Sequence, residues 1–210
     1  MEQLFTKEDH EALKEKDPLM KKVMETISLP PRTRTPDLFQ SLLKTIVGQQ
    51  ISMKAQETIW QRFQEAFPQC TPKTISMAPL DTLRGLGISG SKAAYLKGTA
   101  TMIHQGALDL DALPLASDEE VLEALTKLPG IGPWTAEMVL IFTLGRKDVL
   151  SYGDLAIKRG LMMLYGHDTL SKKQFHVYQQ RFSPLGTLAA LYLWEISSGR
   201  YDLDALKADV

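Results

Sequence analysis

Apolar residues recur along this chain at helical spacing and almost nowhere alternate with polar ones. Leu38, Leu42, Ile46 and Val47 mark one side of a helix that Asp37 starts and Gly48-Gln49-Gln50 ends. Ser52 suits the N-cap of the next, which runs through Ile59, Trp60, Phe63 and Phe67 to Pro68. A short helix from Pro72 leads to Leu83-Arg84, and a longer one carries Lys92, Ala93, Leu96, Ala100 and Ile103. Ser117-Asp118-Glu119-Glu120 reads as a capping box ahead of Leu122, Leu125 and Leu128. From Thr135 to Leu144 only Glu137 is charged, so this helix is predicted to be buried nearly all round. Leu155 to Leu164 is helical and Gly166 stops it; another helix runs from Ser171 to Phe182, and a last one from Leu185 to Ser197. Near the N-terminus, Asp17 caps and Pro18 sits at the first helical position between two further helices. The pattern predicts an all-α fold of about ten helices.

Breaks in the pattern divide the chain. Leu29 to Pro36 is too rich in proline for a helix and is expected to be an extended connector. Residues 106–116 form a second connector, and the tail from Ser198 is polar and expected to be weakly ordered. Two glycine-broken turns, at 85–90 and 130–132, are too slight an echo to call a repeat. A single domain of 210 residues is expected, with helical lobes at 37–144 and at 1–36 plus 145–210 and a cleft between them.

Composition narrows the class. Hydrophobic content of 44% and charged content of 23% describe an ordinary globular protein. One cysteine, Cys70, rules out an internal disulfide and a four-cysteine iron–sulfur site. No run approaches the roughly 18 apolar residues of a membrane span, and Met1-Glu2-Gln3 lacks the order of a signal peptide; a cytoplasmic protein is expected. His10, His104, His167 and His176 are scattered without ligand spacing. Net charge −1 argues against a sequence-blind basic DNA coat. Charge is nonetheless uneven: residues 32–62 carry five basic and two acidic side chains, and 146–181 carry seven basic and three acidic. These blocks are either solvated helix faces or parts of one DNA-facing surface.

Candidate chemistry gathers at Leu128-Pro129-Gly130-Ile131-Gly132-Pro133-Trp134. Gly130 and Gly132 permit φ > 0 and leave amides uncovered, while Pro133 suits a helix's first turn. Two readings fit: a plain αα-hairpin, or a helix N-terminus that binds an anion such as a DNA phosphate. Trp134 faces either core or cleft. Asp154 precedes Leu155-Ala156-Ile157 and reads as an N-cap; a carboxylate fixed in that way can also stabilise positive charge developing on a sugar. The two roles are compatible.

The hairpin from Leu128 to Ala136, with Asp154 twenty positions beyond Trp134, resembles the helix-hairpin-helix DNA glycosylase superfamily. The resemblance is nearest to the bacterial 3-methyladenine DNA glycosylase II branch, in a compact form without an N-terminal β domain. Ile46 to Ser52, Leu83 to Gly87 with Lys92, and Trp194 are also in register, so it spans about residues 37 to 198. It implies a catalytic role for Asp154 and a phosphate grip for the amides of Gly130, Ile131 and Gly132. Gln50 falls on the residue wedged into the space an extruded base leaves, although a glutamine there can equally cap a helix. Trp134 and Trp194 fall on aromatic positions lining the base pocket; Tyr152, Met138 and Phe39 either join them or belong to the core. Lys92, Lys158 and Arg159 are candidate DNA contacts. Carbonyls of Thr126, Leu128 and Ile131 are candidate ligands for a Na+ or K+ ion, as in related proteins, and no cofactor is required.

Relatives that also cut the strand carry a lysine where this chain has Trp134, and Lys127 is out of that register. Tryptophan cannot form a Schiff base, so the resemblance implies a monofunctional enzyme using water. The expected activity is hydrolysis of the N-glycosidic bond of alkylated purines in double-stranded DNA, by a monomer. Two alternatives stay open: excision of deaminated or oxidised bases, and a catalytically silent protein that only recognises damaged DNA. One departure stands out. The family often has a proline shortly before the aspartate, where this chain has Leu150-Ser151-Tyr152-Gly153.

Overall fold

The structure, a computed structural model, describes residues 4–29 and 37–202. The expected connector at 30–36 and the tail beyond residue 202 lie outside the described residues. Among those described there are twelve α-helices and no strand. In chain order they are α1 (Lys7–Lys16), α2 (Pro18–Thr26), α3 (Leu38–Gly48), α4 (Met53–Ala66), α5 (Pro72–Met77) and α6 (Leu80–Gly85). There follow α7 (Gly90–His104), α8 (Asp118–Thr126), α9 (Pro133–Val139), α10 (Leu155–Tyr165), α11 (Lys172–Phe182) and α12 (Gly186–Ser197). Contacts separate two compact units, residues 35–144 and residues 1–34 with 145–210.

Local side chains start most of these helices. Asp17 Oδ1 accepts from the Met20 amide at 2.8 Å ahead of Pro18, and Asp37 Oδ1 accepts from Gln40 at 2.9 Å. Ser117 and Glu120 close the expected capping box, and Thr6 with Asp9 forms another before α1. Each such cap satisfies amides that a helix start leaves without a partner, worth about 0.5–2 kcal/mol. Gly166, at φ 69°, ends α10 in the left-handed region.

In the unit of residues 35–144, α3 packs against α4, α7 and α9, and α7 also covers α5 and α6. Leu42, Leu43, Ile46, Phe63, Leu83, Leu96 and Leu125 are fully buried. Burying each such side chain favours folding by about 1.5–3 kcal/mol. The expected continuous helix from Thr135 to Leu144 is replaced by α9 and a π-helical turn at Leu140–Leu144. Apolar residues on every face report burial, which the segment has, but carry no information about winding. In that turn the buried Thr143 hydroxyl meets the Ser41 hydroxyl of α3.

In the other unit α12 is the central element, with all but two of its twelve residues buried, Trp194 and Ser197 being the exceptions. It packs on α10, α11, α1 and α2. Gly160 of α10 lies so close that a Cβ would sit 3.0 Å from the Leu193 carbonyl carbon. That near approach of backbones fixes α10, and with it Asp154 at its start.

Candidate functional site

Within residues 35–144 the hairpin joins α8 to α9. The Leu128 amide donates to Leu125 O at 3.0 Å, and the Ile131 amide donates to Leu128 O at 3.1 Å, which closes the turn. Gly130 has φ 78° and lies against the Tyr95 ring of α7, whose Cγ would be 2.6 Å from a Cβ at this position. Both facts demand glycine. Gly132 departs from expectation: its φ is −90° and nothing lies within 4 Å of where a Cβ would be. Extended backbone suits any residue, so what glycine contributes at 132 is an uncovered backbone at the start of α9, with no left-handed turn.

Facing the hairpin is an open depression of about 680 Å³. Thr126, Leu128, Gly130, Ile131 and Gly132 line it from the hairpin side. Gln49 and Gln50 enter from the end of α3, and Ser89, Ser91, Lys92 and Tyr95 from the start of α7. Seven residues singled out in the sequence thus share one concavity: Gln50, Lys92, Thr126, Leu128, Gly130, Ile131 and Gly132. Gln50 is exposed and has φ 56°, the one positive φ outside glycine among the described residues. A glutamine held there is strained, and such strain tends to mark working sites.

Lys92 borders the depression and its ammonium is engaged by backbone. Its ammonium donates to Val47 O at 2.9 Å and to Gln49 O at 2.5 Å, covering the last carbonyls around the end of α3. Partial burial pulls its pKa below the usual lysine value. Gln49 had no assigned role in the sequence, yet its Nε2 donates to Gly130 O at 2.8 Å and approaches Thr135 Oγ1 at 3.4 Å. No local pattern pointed to it, because its partner lies 81 positions away.

Trp134 is 41% exposed on the first turn of α9, so the core alternative fails for it. Met138 and Phe39 are buried at 7% and 5% exposure, within the core of the same unit. Lys127, the lysine just before the hairpin, pairs with Glu123 at 2.9 Å on the surface. The residues named for a cation, Thr126, Leu128 and Ile131, all border the depression. A carbonyl has two lone pairs, so the bond from Ile131 leaves Leu128 O able to serve a cation. Among the described residues no group of three or more His, Cys, Asp or Glu is arranged to hold a metal ion.

In the other unit Asp154 caps α10. Its Oδ1 accepts from the amides of Ala156 at 2.8 Å and Ile157 at 2.9 Å, and the residue is only 6% exposed. Leu155 beside it is 77% exposed. Tyr152 stands edge-on to Phe175 at 5.2 Å, and the Lys158 ammonium lies 4.8 Å from the Tyr152 ring centre. Such a contact is worth about 0.5–1 kcal/mol at an exposed site. The structure therefore brings Tyr152, Asp154 and Lys158 into one segment. Trp194 is half-buried on α12, and Arg159 is exposed.

The loop before Asp154 is held by side chains from α11 and α12. Gln179 Nε2 donates to Leu150 O at 2.9 Å. The Thr187 hydroxyl accepts from the Val149 amide at 2.9 Å and donates to Arg146 O at 2.8 Å. Asp148 receives the Ser183 hydroxyl at 2.5 Å and the Gly186 amide at 3.0 Å. Gln179, Thr187, Asp148 and Ser183 had no role assigned from the sequence, and their bonds hold this loop in place.

With this geometry in place, comparison with known proteins is informative. A family model described as HhH-GPD superfamily base excision DNA repair protein matches residues 43–182. The Bacillus subtilis protein YfjP, provisionally named a DNA-3-methyladenine glycosylase, is 33% identical over 166 residues. That match covers 75% of this chain and 58% of the relative, so the chain spans little more than half of that protein. The crystal structure of a Bacillus halodurans DNA-3-methyladenine glycosidase superposes with a TM-score of 0.79 at 33% identity, covering 94% of each chain. The Schizosaccharomyces pombe 3-methyladenine DNA glycosylase in complex with abasic DNA gives 0.78 at 29% identity, covering 91% of this chain and 97% of that one.

Proposed function

Because this chain belongs to the HhH-GPD superfamily of base excision DNA repair proteins, we propose that it is a monofunctional DNA glycosylase releasing alkylated purines, of the 3-methyladenine and 7-methylguanine type, from double-stranded DNA. The observation that carries this reading is Asp154: a buried carboxylate whose Oδ1 is anchored by two amides at a helix start. Its direction is set before substrate arrives, and preorganisation of this kind stabilises a transition state without later rearrangement.

A purine methylated at N3 or N7 carries positive charge and departs as a neutral base. The C1′–N9 bond breaks with its electron pair going to the purine, leaving oxocarbenium character on the sugar. Asp154 opposes that charge and orients a water, whose oxygen bonds to C1′ while its proton passes to the carboxylate and on to solvent. Reaching the bond requires extrusion of the nucleotide, which costs a few kcal/mol, less for damaged pairs. Gly130, Ile131 and Gly132 offer backbone to a phosphate, and Gln50 fills the space the base leaves. The half-exposed indole of Trp134 in one unit, and that of Trp194 with Tyr152 in the other, are each aromatic faces that suit a cationic ring, an attraction of about 0.5–2 kcal/mol. Met138, on the same helix as Trp134, is the buried residue proposed for the base pocket. Lys158 adds positive charge for the DNA backbone. Thr126, Leu128 and Ile131 would hold a monovalent cation through their carbonyls, which lends the hairpin positive charge. A monomer acting on damaged duplex DNA belongs to this reading, and the contact with DNA is supported by the Schizosaccharomyces pombe relative solved in complex with abasic DNA.

Trp134 in place of a lysine leaves no amine for a Schiff base at that position, so no strand cleavage is expected. The test is a panel of duplexes holding methylated, ethenoadenine, hypoxanthine and oxidised bases, followed by alkaline cleavage at abasic sites and a parallel borohydride trap. Abasic sites on methylated DNA with no trapped adduct support the proposal. Release only of deaminated or oxidised bases, a covalent adduct, or binding without release would each contradict it.

A further inference from the structure

The end of α3 is a chain reversal that the backbone alone would not favour. Gln50 sits at φ 56° on the surface, where glycine or asparagine is the usual occupant. Its neighbour Gln49 turns the other way, into the structure, and reaches the hairpin through Gly130 O and Thr135 Oγ1. Lys92, arriving from α7, clamps the carbonyls on either side of Gly48, those of Val47 and Gln49. A lysine used in this way is unusual, since three donors on a flexible stem ordinarily seek water or an anion. Its engagement with two carbonyls, together with partial burial, argues that the charge is structural, serving as a cation at the negative end of the α3 dipole.

We infer that Lys92 and Gln49 are positioning residues, a latch that holds the Gln50 turn in its left-handed form and fixes its register against the Gly130 hairpin. The inference rests on the glycosylase reading above and adds a division of labour to it. The hairpin grips a phosphate and Gln50 occupies the vacated space in the duplex, so these two must be held at one separation for extrusion to be favourable. Gln49 is the strut between them, and Lys92 stops the strut's own backbone from relaxing. Neither side chain need touch DNA.

Two consequences separate this role from a phosphate contact. First, Lys92→Met and Gln49→Leu should damage the extrusion step and spare bond cleavage. Single-turnover excision of a methylpurine paired in duplex DNA should fall on the order of ten- to a hundred-fold, the usual cost of a displaced positioning group. The same lesion placed opposite an abasic gap, where extrusion costs less, should be excised at close to the wild-type rate. Second, the salt dependence of duplex binding should be unchanged in Lys92→Met, whereas loss of a lysine–phosphate contact lowers the slope by about one. Lys92→Arg, which can still donate to both carbonyls, should recover most of the paired-substrate rate.

Circular dichroism and thermal unfolding of each variant accompany the assay, and Gln49→Leu carries the comparison if Lys92→Met does not fold. Equal losses on paired and gapped lesions, a lowered salt slope, or a wild-type rate on paired DNA would each overturn the inference. Its failure is distinct from failure of the glycosylase reading, which shows as no base release by the wild-type protein on any lesion.

Discussion

Thr187→Val asks whether the loop that aims Asp154 is held as the structure indicates. Valine keeps the shape and removes the hydroxyl. The Val149 amide, buried and donating to Thr187 Oγ1 at 2.9 Å, loses its acceptor. Leaving such a group without a partner costs about 1–3 kcal/mol. Arg146 O, part-buried and accepting at 2.8 Å, loses a donor at about 0.5–1.5 kcal/mol. The Thr187 amide's own bond to Lys147 O, at 3.0 Å, is untouched. Together the change should destabilise the unit of α10–α12 by roughly 2–4 kcal/mol, which for a chain of this size is a Tm lowered by roughly 5–15 °C. Calorimetry reads the shift. Single-turnover excision well below Tm should also fall, on the order of ten-fold, because the carboxylate loses its fixed direction. A Tm within about 1 °C of wild type with full activity would refute the assignment of Thr187 as the loop's anchor.

Gly130→Ala should lower stability and weaken DNA binding, since it forces alanine into φ 78° and against Tyr95; Gly132→Ala should leave the melting temperature unchanged and weaken binding only, which paired melting and binding measurements resolve. His10 donates to or accepts from the Tyr192 hydroxyl at 3.3 Å on the face of α1 against α12, and burial, reinforced by Lys14, lowers its pKa below the ordinary 6.5. The folded protein therefore disfavours the charged imidazole. His10's contribution to stability is complete above its unfolded value and is lost as pH falls through the folded one. Melting temperatures between pH 8 and pH 5 should fall less in His10→Gln than in wild type; parallel curves would contradict the assignment.

Much of this molecule is local in origin and therefore legible in the chain. Asp17-Pro18, Asp37, Ser52, the Ser117–Glu120 box and Asp154 each start a helix through an atom two or three residues away, so the sequence pattern contains both partners. The hairpin was legible for the same reason, at Gly130 although not at Gly132. Where partners are distant the sequence was silent. Lys92 has the composition of a DNA contact, and only the arrival of α7 beside the end of α3 gives its ammonium two carbonyls. Gln179 and Thr187 fix the loop before Asp154 from 29 and 38 positions away, and nothing in their neighbourhoods announces it. Met138 and Trp134 lie on one short helix, yet one is core and the other exposed; periodicity alone did not decide which. The π-helical turn after α9 depends on packing against α3 and leaves no trace in composition.

The most direct test of the role given to Asp154 is Asp154→Asn. Asparagine keeps an oxygen for the Ala156 and Ile157 amides, so α10 stays capped while the negative charge is removed. Single-turnover release of 3-methyladenine or 7-methylguanine from duplex DNA, measured beside binding to an abasic duplex, should show excision lost and binding retained. Excision by Asp154→Asn at the wild-type rate would contradict the mechanism proposed here.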